Sequence, residues 1–221
     1  MDIPTSRLSE VLANVTAAEQ RFIGEVTTRV VDDATAARPS RLPGWTVGHV
    51  LTHIARNADS CSRRVGAAMK NETAEQYAGG YAGRSAEIEA GAARSARELL
   101  DDLIQSSDRL TILWPALTLP AWGASTLDVA GNEIPLWVLP ERRWLELELH
   151  LIDLDLGFTH DGWSSDLVDI WLPRLRPLMS TRLPDGVKGP TESDFEGNRE
   201  ELAWLFGRLR RPDLPLLAPW G

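Results

Sequence analysis

Glu146 and His150 stand four residues apart in a segment otherwise built largely of leucine, Leu145-Glu146-Leu147-Glu148-Leu149-His150-Leu151-Ile152-Asp153. Read as a helix, this spacing puts a carboxylate and an imidazole one turn apart on one face, with Asp153 three residues further along it. Glu148 falls about 160° away around the axis. Burying such groups unpaired costs several kcal/mol, and one shared divalent metal would satisfy both. A Glu and a His one turn apart are half of a common bundle metal site.

His53 is the candidate third ligand, set among Val50, Leu51 and Ile54 on or beside the apolar face of another helix. Two histidines and one carboxylate make the open zinc pattern, with a fourth position left for water or a sulfur ligand. Asp153 would then orient His150 as an outer acceptor. Other readings stand beside this one. A histidine on an apolar face is commonly a hydrogen-bonded core residue. Glu146 can pair with Arg142 or Arg143 on its own helix. A His49/His53 pair is a rival ligand set, although His49 in a first turn suits a hydrogen bond at the helix end. His160 reads as a surface residue.

These side chains need helices to hold them. Residues 6–33 read as a first amphipathic helix through Leu8, Val11, Leu12, Val15, Phe22 and Val26, ended by Asp32, Asp33 and the Pro39–Pro43 region. Thr46 is a fair N-cap for a second helix over about 47–70 that carries His53. A loop over 73–83 leads to a third helix over about 84–113. A short hairpin around Gly131-Asn132 fits Thr126–Pro135. Residues 145–151 alternate as a half-buried strand would. Strong helix formers, a single β-branched residue and the length of the pattern instead favour a helix from Glu141 to about Leu156, framed by Pro140 and Gly157. Two further helices fit about 164–180 and 198–210. The tail from Pro212 reads as extended and packed by Leu214, Leu216, Leu217 and Trp220.

The 221 residues carry a net charge of -9 and contain no basic run, so nucleic acid is not an expected partner. The one cysteine, Cys61, allows no intrachain disulfide, no run of about 18 apolar residues predicts a membrane span, and the first residues carry no secretory pattern. A cytoplasmic protein is expected.

The stretch Arg41-Leu42-Pro43-Gly44-Trp45-Thr46, running on into His49-Val50-Leu51-Thr52-His53-Ile54-Ala55-Arg56-Asn57, resembles the mycothiol-dependent maleylpyruvate isomerase family. The resemblance continues through Gly83–Gly91, returns at Glu146–Leu154 and ends at Glu201–Arg208. It implies a mainly α protein: a DinB-like four-helix bundle over 1–157 and a small C-terminal α/β (or reduced) domain over 158–221. After Gly157 only 64 residues remain, and 183–197 show little strand alternation, so a shortened C-terminal domain is expected.

The resemblance places the family's zinc ligands on His53, Glu146 and His150, and its substrate-holding arginines on Arg84 and Arg208. It implies two cofactors, Zn2+ and mycothiol. A zinc-bound thiol loses its proton, adds to the double bond of a maleylpyruvate-like cis-enone acid, allows rotation and is then eliminated. The implied partners are therefore a small thiol and a small dicarboxylate. Transfer of mycothiol to an electrophile on the same zinc site is the alternative, and a non-catalytic metal-binding protein is the alternative of another class.

Overall fold

Leu8, Val11, Val15, Phe22 and Val26 are all buried, and their helical spacing defines α1 (Thr5–Arg29). The computed structural model describes residues 5–219. α1 ends at Arg29, four residues before the expected end. The Asp32 side chain accepts from the Thr35 backbone N–H at 2.8 Å and starts a separate short helix, α2 (Asp33–Ala36). The expected cap on Thr46 is present: its side chain accepts from the His49 N–H, the His49 ring nitrogen accepts from the Thr46 N–H, and α3 (Val47–Ala68) begins there.

The single helix expected over 84–113 is two, α4 (Gly80–Ala92) and α5 (Ala96–Leu113). Ser95 and Glu98 form a capping box that stops one helix and opens the next. A short helix α6 (Leu119–Trp122) precedes the expected hairpin, in which β1 (Ser125–Leu127) pairs antiparallel with β2 (Glu133–Pro135). Gly131, at φ 84°, supplies the left-handed residue of its turn.

The contested segment is helical: α7 runs over Leu139–Asp153. It ends before Leu156, because Asp155 (φ 55°) and Gly157 (φ 92°) turn the chain out of the helix. α1 packs on α7 and α5, and α3 packs on α5, α7 and α4. α1, α7, α3 and α5 thus close a four-helix ring, with Ala58, Cys61, Val65, Leu110, Trp114 and Leu139 in one of its apolar clusters.

The chain separates into two compact units, Met1–Leu154 and Asp155–Gly221. The second unit holds α8 (Ser165–Leu175) and α9 (Asn198–Leu205), packed on each other. Pro173 and Pro177 remove backbone donors, so the helix expected to reach 180 gives way at Arg176 to a 3-10 stretch. α9 stops five residues short of its expected end, at a Gly207-centred cap. There the Gly207 N–H meets the Trp204 carbonyl at 2.8 Å and the Arg208 N–H meets the Ala203 carbonyl at 2.8 Å. Among the described residues this unit contains no strand, which makes it the reduced form rather than α/β. In the tail Leu214 is buried but Leu216 is exposed, contrary to its expected packing, and Trp220 lies outside the described residues. No described helix is long and apolar enough to cross a membrane.

Candidate metal centre

α3 and α7 pack side by side as neighbours in the bundle and bring His53, Glu146 and His150 together. One ligand atom from each lies within 4.8 Å of the others. His53 Nε2 is 2.9 Å and His150 Nε2 is 3.2 Å from Glu146 Oε2. The two imidazoles meet edge to face, 4.7 Å between centroids. Ligand bonds of about 2.0–2.1 Å in a tetrahedron put donor atoms about 3.3 Å apart, so this donor set fits a zinc-like ion with little movement. Glu146 keeps 33% of its side chain exposed, whereas His53 keeps 2%. The cluster is open on the carboxylate's side.

Electrostatics divide the three groups. Burial pushes His53 down from 6.5 to about 4 against the pull of Glu146, so its ring is neutral and suited to ligation. Burial would raise Glu146, but hydrogen bonds from His150 and His53 hold it well below 4.5. Burial also opposes the charge on His150, yet Asp153 and Glu146 outweigh it and raise its pKa above 6.5. Asp153 Oδ2 lies 2.9 Å from His150 Nδ1, the placement expected of an outer acceptor.

A buried network sets the register of the two ligand helices. Arg143, fully buried on α7, binds Glu19 of α1 through Nε at 3.2 Å and Nη2 at 2.6 Å. Its Nη1 donates to the Ile54 carbonyl at 2.8 Å and to Asn57 Oδ1 at 3.0 Å, both on α3. The expected alternative in which Arg143 pairs with Glu146 is therefore not realised. Glu148 points away as expected and pairs with Arg21 of α1.

His49 is outside the cluster. Its ring caps α3, stacks on Trp45 and reaches Glu89 at 3.4 Å, so the rival His49/His53 pair does not form. Arg84, in the first turns of α4, places Nη2 3.3 Å from His53 Nδ1 and lies over the Trp45 ring at 5.8 Å. Arg208 belongs to the second unit, where its Nη1 donates to the Phe206 carbonyl at 2.8 Å. His160, expected at the surface, is half-buried against Trp163 in that unit.

In the sequence Trp45 stood only within the stretch that carries the family resemblance, with no role of its own. Its ring sits 5.7 Å from His53. The left-handed Gly44 beside it (φ 79°) and the Ser40–Trp45 backbone bond of 2.9 Å fold it back onto the start of α3. The Gly-Trp pair before a capping threonine was the available signal.

No curated protein matches the chain. Two solved structures do. One is described as the mycothiol-dependent maleylpyruvate isomerase, with a TM-score of 0.84 and 20% identity over 96% of this chain and 97% of that one. The other is a histidine-to-alanine mutant of the mycothiol-dependent maleylpyruvate isomerase, with a TM-score of 0.82 and 19% identity over 95% and 96%. At these identities they establish the fold. The model of the mycothiol maleylpyruvate isomerase N-terminal domain matches residues 16–155, which includes His53, Glu146 and His150 and well over half of the sequence. The chain belongs to the mycothiol maleylpyruvate isomerase family.

Proposed function

We propose that this protein is a thiol-dependent cis-trans isomerase whose centre is one zinc ion held by His53, Glu146 and His150, with mycothiol as cofactor and a maleylpyruvate-like cis-enone acid as substrate. The observation that carries the reading is the open three-ligand cluster with a cation beside it, in a chain of this family. Zinc and the thiol, when bound, supply a thiolate nucleophile for reversible addition to a double bond.

The protein's own residues do the rest. His53 enters as a neutral donor because burial keeps the proton off it. Asp153 aims the His150 ring from its far nitrogen. Arg84 offers its fork to a substrate carboxylate beside the cluster. Cys61 is no competitor as nucleophile: it is buried, and burial raises its thiol above 9.0.

The runner-up is transfer of mycothiol to an apolar electrophile, which an aromatic lining would favour. Trp45 contacts the cluster, whereas Trp114, Trp122 and Trp144 are buried core residues. Thiol accounting separates the two reactions. With mycothiol far below the maleylpyruvate concentration, an isomerase converts all the substrate to fumarylpyruvate and leaves the free thiol unchanged. Conversion that stops when the thiol is used up would point to transfer.

A further inference from the structure

The stripe of α3 that carries His53 continues down the helix through Asn57, Ser60 and Arg64. Eleven residues at 100° each leave Arg64 about 20° from His53 around the axis. Arg64 is 3% exposed, and its side chain runs back toward the helix N-terminus. Nε donates to the Ser60 carbonyl at 3.3 Å and Nη2 to Cys61 Sγ at 3.6 Å. These acceptors are neutral and weak, and no described residue offers Arg64 a carboxylate. Arg143, the other arginine buried this deeply, has Glu19. A buried cation without a counter-charge is costly.

Arg64 lacks a counter-charge rather than acceptors, but two hydroxyl donors nearby have no acceptor among the described residues. Tyr77, in the loop between α3 and α4, is 1% exposed, and its buried hydroxyl has no partner among the described residues. The Ser60 hydroxyl is likewise buried without one. Buried hydroxyls normally find partners. Burial first, and then the Glu146 charge, push the Tyr77 phenol up to about 12, while Arg84 and Arg64 pull the other way. Tyr77 is therefore a neutral O–H donor within electrostatic reach of the cluster and of both arginines. A planar anion with two acceptor oxygens answers a guanidinium and hydroxyl donors together, and that is a carboxylate.

We propose that Arg64, Tyr77 and Ser60 form a buried carboxylate subsite that takes the far end of a small dicarboxylate whose near end lies against Arg84. The substrate class rests on the isomerase reading; the subsite rests on the unanswered donors. Binding of maleate, a cis-dicarboxylate, is measured by calorimetry on zinc-loaded and chelator-treated protein. Arg64→Met should weaken maleate binding at least about tenfold and Tyr77→Phe by about three- to tenfold, with zinc content unchanged. Without the anion, Arg64→Met should melt no lower than wild type, because the uncompensated charge is gone.

Maleate binding to Arg64→Met within about twofold of wild type, or no maleate binding to folded wild type, overturns the subsite. If Arg64→Met does not fold, Tyr77→Phe decides by the same limits. Arg64-dependent maleate binding in a protein that takes up no zinc and isomerises nothing would refute the functional reading and leave the subsite standing. Thiol-dependent turnover with maleate affinity unchanged in Arg64→Met would do the reverse.

Discussion

Arg143 donates to the backbone carbonyl of Ile54 at 2.8 Å, one residue after His53 on α3 and three residues before Glu146 on α7. A single buried guanidinium thereby fixes the distance between the helices that carry the clustered ligands, while Glu19 of α1 neutralises it. Arg143→Met should cost about 3–5 kcal/mol by leaving Glu19 buried and unpaired, read by urea denaturation. It should also weaken metal binding by about 10- to 100-fold, as losses of outer-shell support do. A variant with unchanged stability would show that the network is incidental.

Close approach of backbones around α3 gives a paired test. A Cβ at Gly48 would lie 2.2 Å from the Ala92 carbonyl oxygen, a backbone atom at the end of α4. Gly48→Ala should therefore lose about 1–3 kcal/mol. A Cβ at Gly66, on the same helix, meets nothing within 4 Å. Gly66→Ala should gain about 0.5–1 kcal/mol from helix propensity alone. Thermal melts of the two variants should move in opposite directions.

The centre was legible in sequence because its signal is local. Glu146 and His150 share a face by spacing alone, and polar groups on a leucine-rich helix demand a reason. The Thr46 cap was also local. Partners far apart in sequence were hidden: nothing near Arg143 points to Glu19, and nothing near Arg64 predicts that it has no carboxylate. The break at Ser95–Glu98 was written in the sequence as a capping box but lay inside a long apolar pattern that masked it. In the C-terminal unit the proline and glycine stops shortened both expected helices, since apolar spacing continues past the point where backbone donors run out.

Alkaline pH should find the bundle interior. Tyr77 ionises near 10 when unfolded but at about 12 when folded, so its contribution is complete below pH 10 and is lost as pH rises through 12. At about 1.4 kcal/mol per tenfold change in proton affinity, wild type should lose up to about 3 kcal/mol across that window. Cys61, raised above 9.0, acts in the same direction. Denaturation midpoints of Tyr77→Phe should fall less steeply between pH 10 and 12. Equal slopes would mean that the phenol is not held neutral by the fold.

Arg84 separates substrate holding from metal holding. With Nη2 3.3 Å from His53 Nδ1, Arg84→Met should keep about one zinc per chain yet lower kcat/KM for maleylpyruvate by about 100-fold. Loss of zinc together with activity would instead make Arg84 part of the metal's support.

The central claim is that thiol-dependent isomerisation runs through the metal held by His53, Glu146 and His150. The direct measurement is the absorbance change of maleylpyruvate with and without mycothiol, on zinc-loaded wild type and on His150→Ala at matched protein concentration. The account predicts rapid mycothiol-dependent conversion by wild type, and no zinc retention and no conversion by the variant. Conversion without mycothiol, or turnover by a zinc-free His150→Ala at the wild-type rate, would contradict it.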